Sequence, residues 1–310
     1  MLKKNKVKIG IVGAGGIGGL IAILLSSKKI DVHCSRGNKT ADKIQLKLKS
    51  NYFGHKTKIL KFTNKIFKNF DVIFISVKYQ KLGSALKKID GNSNKVIIPL
   101  LNGIRHIDLL KRKFKNKCII ANIGKTVSFK DKKNFIIHKS YNKPVITLSS
   151  ENKSLLKNII KIKKILKNAN IKTIIKKNDD LVIWTKLIRI NALSSITALY
   201  NNNLGEIRSS NEKKKYLIKM LKETLLLTHK KKLMIDFKNL IKEINSFPDN
   251  LTTSMQRDIS EGKKSEIETI LGGVLREAKK ENIVLKTNEK VYKLLKKKIN
   301  GKKNFRNSWR

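Results

Sequence analysis

Cysteine, proline and aromatic residues are all scarce in this chain: two Cys, three Pro and 6% Phe, Trp and Tyr among 310 residues. The two cysteines, Cys34 and Cys118, sit in apolar strand-like runs, so a disulfide framework is excluded and both read as buried free thiols. The five histidines, His33, His55, His106, His138 and His229, are dispersed without the carboxylate or cysteine spacing of a ligand set, and no metal is expected. Acidic residues are also few, 22 against 71 Lys and Arg, for a formal net charge of +49. Such an excess ordinarily raises nucleic acid as a partner. Only nine of the basic residues are Arg, however, and the lysines are spread over every segment. With aromatic stacking residues also sparse, no specific nucleic-acid surface is expected.

Long apolar runs are nearly absent as well. The one uncharged stretch of spanning length, 9–27, follows a lysine-rich start and superficially suits a membrane anchor. Six glycines interrupt it, at 10, 13, 15, 16, 18 and 19, and a second strand-like run begins directly after it at 30–34. Neither a membrane segment nor a cleavable leader is expected, and the reading is a cytoplasmic protein.

The same stretch carries the clearest motif of the chain. An apolar run ends in Gly13-x-Gly15-x-x-Gly18, spelled out as Gly13, Ala14, Gly15, Gly16, Ile17 and Gly18, and a helical apolar stripe follows at Ile17, Leu20, Ile21, Leu24 and Leu25. Strand, glycine turn and helix together point to a bound dinucleotide. Gly13 lets the backbone turn sharply, Gly15 lets a pyrophosphate approach the main chain, and Gly18 lets the helix pack closely. The phosphates then meet the positive N-terminal end of that helix.

Short, nearly continuous apolar runs at 8–12, 31–35, 71–77, 96–101 and 118–123 read as parallel strands covered on both faces by helices, hence a doubly wound sheet. Further strand-like pieces follow at 135–138, 145–148 and 171–175, with a helix at 152–167. From 178 onward the period is helical almost throughout. The expected organisation is a dinucleotide-binding domain over 1–176 and a helical substrate and catalytic domain over 177–310. At the end of the second strand, where an acidic residue would select NAD, the chain has Cys34-Ser35-Arg36, while Asp31 comes too early. Arg36 offers a planar guanidinium to a 2′-phosphate, which favours NADP(H).

Several separated motifs then resemble, in order, those of the 2-dehydropantoate 2-reductases (ketopantoate reductases). These are GAGGIG at 13–18, SVK at 76–78, LNG at 101–103, WTKL at 184–187, TAL at 197–199, GE at 205–206, SMQRDI at 254–259 and SEIETI at 265–270. Ser254 and Glu266 keep the family's twelve-residue separation. The resemblance implies a Rossmann-type domain followed by an all-helical one. It further implies reduction of a 2-oxo acid by NADPH, giving pantoate for pantothenate and coenzyme A synthesis. Lys186 resembles the family's general acid; an ammonium there would polarise the substrate carbonyl and supply its proton. Glu266 resembles the acidic residue near the nicotinamide ribose and the substrate, and Ser254 the hydroxyl donor to the substrate. Lys78 and Asn102, at strand ends, are candidates for the cofactor, and Asn102 for the substrate as well.

The chain departs from that pattern where the family carries asparagines four and eight residues after the lysine. Here stand Ile190 and Ser194, of which Ser194 is kept as a candidate substrate contact. Asn191 lies about 140° around a helix from Lys186 rather than about 40°, and so cannot substitute without a local bulge. A third family asparagine corresponds to Leu204. These departures open a second expectation, a reductase of another 2-oxo acid. A third is a dinucleotide-binding regulator without catalysis. The helical half offers surfaces for a homo-oligomer, although no seam is legible in the sequence.

Overall fold

The computed structural model describes residues 6–26, 30–35, 42–63, 67, 69–90, 95–124, 126–131, 133 and 135–307. They form two compact units, Met1–Leu101 with His106–Val182, and Asn102–Arg105 with Ile183–Arg310. The division falls inside a helix, after Val182. Among the described residues no helix is long and apolar enough to cross a membrane.

The first unit runs β1 (Lys8–Val12), α1 (Gly16–Ser26), β2 (Asp31–Ser35), β3 (Lys43–Ser50), β4 (Gly54–Phe62), β5 (Val72–Ile75), α2 (Leu82–Leu86), β6 (Val96–Pro99) and α3 (His106–Phe114). It continues through β7 (Ile120–Gly124), β8 (Ser128–Lys130), β9 (Phe135–His138), β10 (Val145–Ser149), α4 (Leu156–Asn168) and β11 (Lys172–Lys176). Eight strands form one sheet in the order β6-β5-β1-β2-β4-β3-β9-β8. Its β6-β5-β1-β2-β4 part is parallel throughout. The chain departs from β1 first toward β2 and later toward β5, so strand order reverses beside the carboxyl end of β1. That is where open sheets of this kind leave a crevice for ligands.

Alternation along the central strands shows both faces covered. Val72 and Phe74 of β5 join one apolar cluster with α1, whereas Ile73 and Ile75 join another that includes Leu82 and Leu86 of α2 and Leu110 and Phe114 of α3. Cys34 and Cys118 lie in these clusters as free thiols, each pushed up to about 12 by burial.

Two features differ from the sequence reading. The run at 118–123 does not extend the parallel sheet: β7 belongs to a separate three-stranded sheet, antiparallel to β10, which in turn pairs parallel with β11. Its link to the large sheet is an isolated Ile97–Cys118 bridge. The β3–β4 hairpin carries no continuous apolar run that would mark it as strand in the sequence. Every second residue of β3 faces water, including Lys43, Lys47 and Lys49, while Leu46, Leu48 and Ser50 face inward. A half-solvated antiparallel pair needs only this thin apolar stripe, which a lysine-rich sequence obscures.

The second unit contains α5 (Asp179–Tyr200), whose first residues belong to the first unit, then α6 (Leu204–Ser209), α7 (Asn211–Lys230), α8 (Phe237–Asn245), α9 (Ser254–Ser260), α10 (Leu271–Lys280) and α11 (Lys286–Asn307). Among its described residues it has no strand. Trp184, Ile188, Ala192 and Ile196 of α5 pack with residues of α7, α10 and α11 in a single core. The last carbonyls of α5, at Ala198 and Leu199, accept hydrogen bonds from the Lys298 ammonium at 3.0 and 2.7 Å, a cation closing a helix C-terminus. Glu223 of α7 accepts from the Thr287 and Asn288 N–H groups at 2.8 and 3.0 Å and so caps the first turn of α11.

Candidate active site

The glycine turn of the first unit is tied on both sides. The Gly13 N–H donates to the Ser35 carbonyl at 3.0 Å, and the Ser76 hydroxyl donates to the Gly13 carbonyl at 2.8 Å. Gly13 has φ +102°, a conformation L side chains rarely adopt. A Cβ on Gly18 would lie 2.1 Å from the Gly13 carbonyl oxygen and 2.2 Å from the Ser76 hydroxyl oxygen. Gly18 is therefore required by packing. A Cβ on Gly15, by contrast, would meet nothing within 4 Å among the described residues, so the open side of the turn is there. Gly16 packs against the Ser128–Phe129 backbone, and Ala14 is buried. Ile17 lies against the core.

The first turn of α1 carries no acidic residue. Its positive end is thus unneutralised, and the turn could hold a dinucleotide pyrophosphate. Lys78 follows β5 in extended conformation and is half-buried. Arg36 lies outside the described residues. Ser76 lies in one of the sequence motifs without a role of its own there, because its contact to the glycine turn after another strand exists only once the sheet has formed.

In the second unit, Lys186 is half-buried on α5. Among the described residues it makes no ion pair. Burial, joined by the Arg189 guanidinium one turn along the helix, pushes its ammonium down to about 8 against the opposing pull of the Glu266 carboxylate. Glu266 is 7% exposed and accepts a hydrogen bond from the Asn102 side-chain amide at 3.1 Å. The 102–105 turn is seated on the segment after Glu266. Gly103 has φ +81°, a Cβ there would lie 2.2 Å from the Thr269 carbonyl oxygen, and the Ile104 N–H reaches that oxygen at 3.4 Å. The LNG and SEIETI motifs are therefore one structural piece, which brings Asn102 and Glu266 together, and the Glu266 carboxylate acts electrostatically on Lys186. This group can donate a proton from an ammonium whose affinity lies near neutral pH, and it can accept a polar ligand beside it.

The remaining candidates are placed differently. Ser194 is buried, and its hydroxyl donates to the Ile190 carbonyl of its own helix. Ile190 packs against the core, and Leu204 is fully buried within it. Asn191 points away from Lys186 into the helical core, where its amide donates to Thr224 at 3.2 Å and to Asn288 at 2.7 Å. Ser254 is exposed in the first turn of α9. That helix start is held by a Thr253–Gln256 capping box and by a Thr197–Thr253 hydroxyl contact of 2.9 Å, which gives the TAL motif its place. Glu206 of the GE motif forms a capping box with Asn203, the residue beside Leu204.

Comparison with known proteins agrees with this architecture. Two family profiles match, described as ketopantoate reductase PanE/ApbA over residues 9–150 and ketopantoate reductase PanE/ApbA C terminal over residues 179–299. An uncharacterized oxidoreductase of Bacillus subtilis, YkpB, is 25% identical over 297 residues, covering 92% of this chain and 97% of that protein. Among solved structures, D-mandelate dehydrogenase with NADH and anilino(oxo)acetate superimposes with a TM-score of 0.85 at 18% identity, covering 95% of this chain and 99% of that one. A 2-dehydropantoate 2-reductase of Geobacter metallireducens gives 0.84 at 19% identity, with 94% and 99% covered. A dimeric ketopantoate reductase of Staphylococcus aureus gives 0.75 at 19% identity, with 95% and 99% covered. With both profiles matched in order along one chain, the protein belongs to the ketopantoate reductase family.

Proposed function

We propose that the protein reduces a 2-oxo acid with NADPH, and that ketopantoate is its substrate, giving pantoate for pantothenate and coenzyme A synthesis. The observation that carries this reading is Lys186: an ammonium without an ion pair among the described residues, under the pull of the Glu266 carboxylate, in a unit matched by the family's C-terminal profile. A nicotinamide dinucleotide held at the glycine turn would supply the hydride. Lys186 polarises the carbonyl and gives its proton to the oxygen, while Asn102 orients the Glu266 carboxylate and Ser254 offers a hydroxyl to the substrate. The cofactor is assigned to Gly13, Ala14, Gly15, Gly16, Ile17 and Gly18 with Lys78, and the preference for NADPH over NADH to Arg36. A homo-oligomer is part of the proposal, in line with the dimeric Staphylococcus aureus relative.

A second reading has its own observation. Ile190 and Leu204 are apolar, and the Ser194 hydroxyl is engaged by its own helix, so three positions expected to be polar give a substrate hydroxyl little to bond. A site lacking such partners discriminates poorly in favour of a hydroxylated substrate, which would suit a less polar 2-oxo acid. The two readings separate in one assay: loss of reduced-nicotinamide absorbance with ketopantoate and a panel of apolar and aromatic 2-oxo acids, each with NADPH and NADH. The highest kcat/KM for ketopantoate with NADPH is expected. A clear lead for an apolar acid moves the substrate and leaves the chemistry, and no turnover with any acid overturns both in favour of a regulator.

The pH profile follows from the same lysine. The reducing direction uses the ammonium, so kcat/KM is expected to be level below about 8 and to fall about tenfold per pH unit above it. Oxidation of the hydroxy acid uses the neutral amine and rises over the same range. A reductive profile flat to pH about 10 would remove Lys186 as donor.

A further inference from the structure

Arg189 follows Lys186 by three positions on α5, which puts the two side chains on one helix face with Cβ atoms about 5–6 Å apart. Two cations so placed repel one another, and one of them is nearly out of water. The Arg189 side chain is 9% exposed, forms an ion pair with Glu243 of α8, and lies over the Phe247 ring with 5.7 Å to its centroid. The guanidinium is thereby fixed on both its edge and its face, an arrangement for which arginine is suited and lysine is not.

We propose that Arg189, clamped by Glu243 and Phe247, is a positioning residue that sets the proton affinity of Lys186. The guanidinium opposes protonation of Lys186, and Glu243 determines how much of that positive charge Lys186 feels. The charged groups that act on Lys186 are Arg189 from its own helix, opposing the ammonium, and Glu266 from the 265–270 segment, favouring it; burial adds to the Arg189 effect. Glu243 is tied to this pair by its ion pair with Arg189. For catalysis the inference rests on Lys186 being the proton donor, whose efficiency is greatest when its affinity matches the working pH.

The test reads Lys186 directly. The full chain is labelled with trace acetic anhydride across a pH series, and peptide mass spectrometry follows acetylation at Lys186. The native half-labelling pH is expected near 8. Arg189→Met is expected to raise it by about half a unit or more, Glu243→Gln to lower it, and Arg189→Lys to return it toward native. An unchanged half-labelling pH in folded Arg189→Met, or an upward shift in Glu243→Gln, overturns the proposal, and the second variant decides if the first does not fold. The alkaline limb of kcat/KM is measured on the same proteins. If labelling shifts and the limb does not, Arg189 keeps this role while Lys186 loses that of proton donor.

Discussion

Replacing Lys186 with Met is expected to lower kcat for 2-oxo acid reduction by about 10²–10⁴-fold, with a much smaller change in KM for the dinucleotide. The magnitude is that of a positioned general acid, and two properties of the site argue for the full loss. Lys186 is the ammonium on which the Glu266 carboxylate acts, and its cationic neighbour Arg189 is engaged in an ion pair with Glu243. Methionine matches the length of the lysine stem and can pack along the same apolar flank. Stability is expected to move the other way. Folding disfavours the charged form of Lys186, so the native residue costs stability below about pH 8, and that cost is withdrawn as pH rises toward the ordinary lysine value of 10.5. At neutral pH the Met variant should therefore melt at or above the native temperature. Steady-state kinetics beside a thermal melt check both halves, and a kcat within about threefold of native would exclude Lys186 as the acid.

Part of this site was legible before folding, and the limit is physical. The glycine turn lies within one stretch of chain, and each glycine has a local reason that sequence can carry. Periodicity likewise separates the α/β half from the helical one, because strands buried on both faces and helices buried along a stripe have different repeats. The offset of Asn191 from Lys186 is a property of any straight helix. Its partners Thr224 and Asn288 belong to other helices and were not legible. The same holds for Asn102 and Glu266, which meet although 164 positions separate them, and for Arg189, whose meaning depends on Glu243 and Phe247 from beyond the end of α5. In the sheet, β3 and β4 were hidden because lysine occupies the solvent side of the hairpin. β7 was assigned to the wrong sheet because an apolar run states that a strand is buried and not which strand it pairs with.

The two glycines of the dinucleotide turn should respond to a single methyl group in opposite ways. Gly18→Ala places a Cβ 2.1 Å from the Gly13 carbonyl oxygen and 2.2 Å from the Ser76 hydroxyl oxygen, so either the Ser76–Gly13 hydrogen bond opens or α1 moves off the sheet. Overpacking of this kind costs about 1–3 kcal/mol, and the loss of a part-buried hydrogen bond adds about 0.5–1.5. A fall of several degrees in melting temperature is expected. Gly15→Ala meets nothing within 4 Å among the described residues and should melt within about 2 °C of native. What its methyl group would meet, on the present proposal, is the pyrophosphate, so NADPH affinity is expected to drop by tenfold or more, about 1.4 kcal/mol at the least. Thermal melts without ligand and a fluorescence titration with NADPH separate the two effects. Native NADPH affinity in Gly15→Ala would remove the pyrophosphate from this turn, whereas weakened affinity at an unchanged melting temperature requires that the main chain at Gly15 and the ligand approach more closely than a side chain permits.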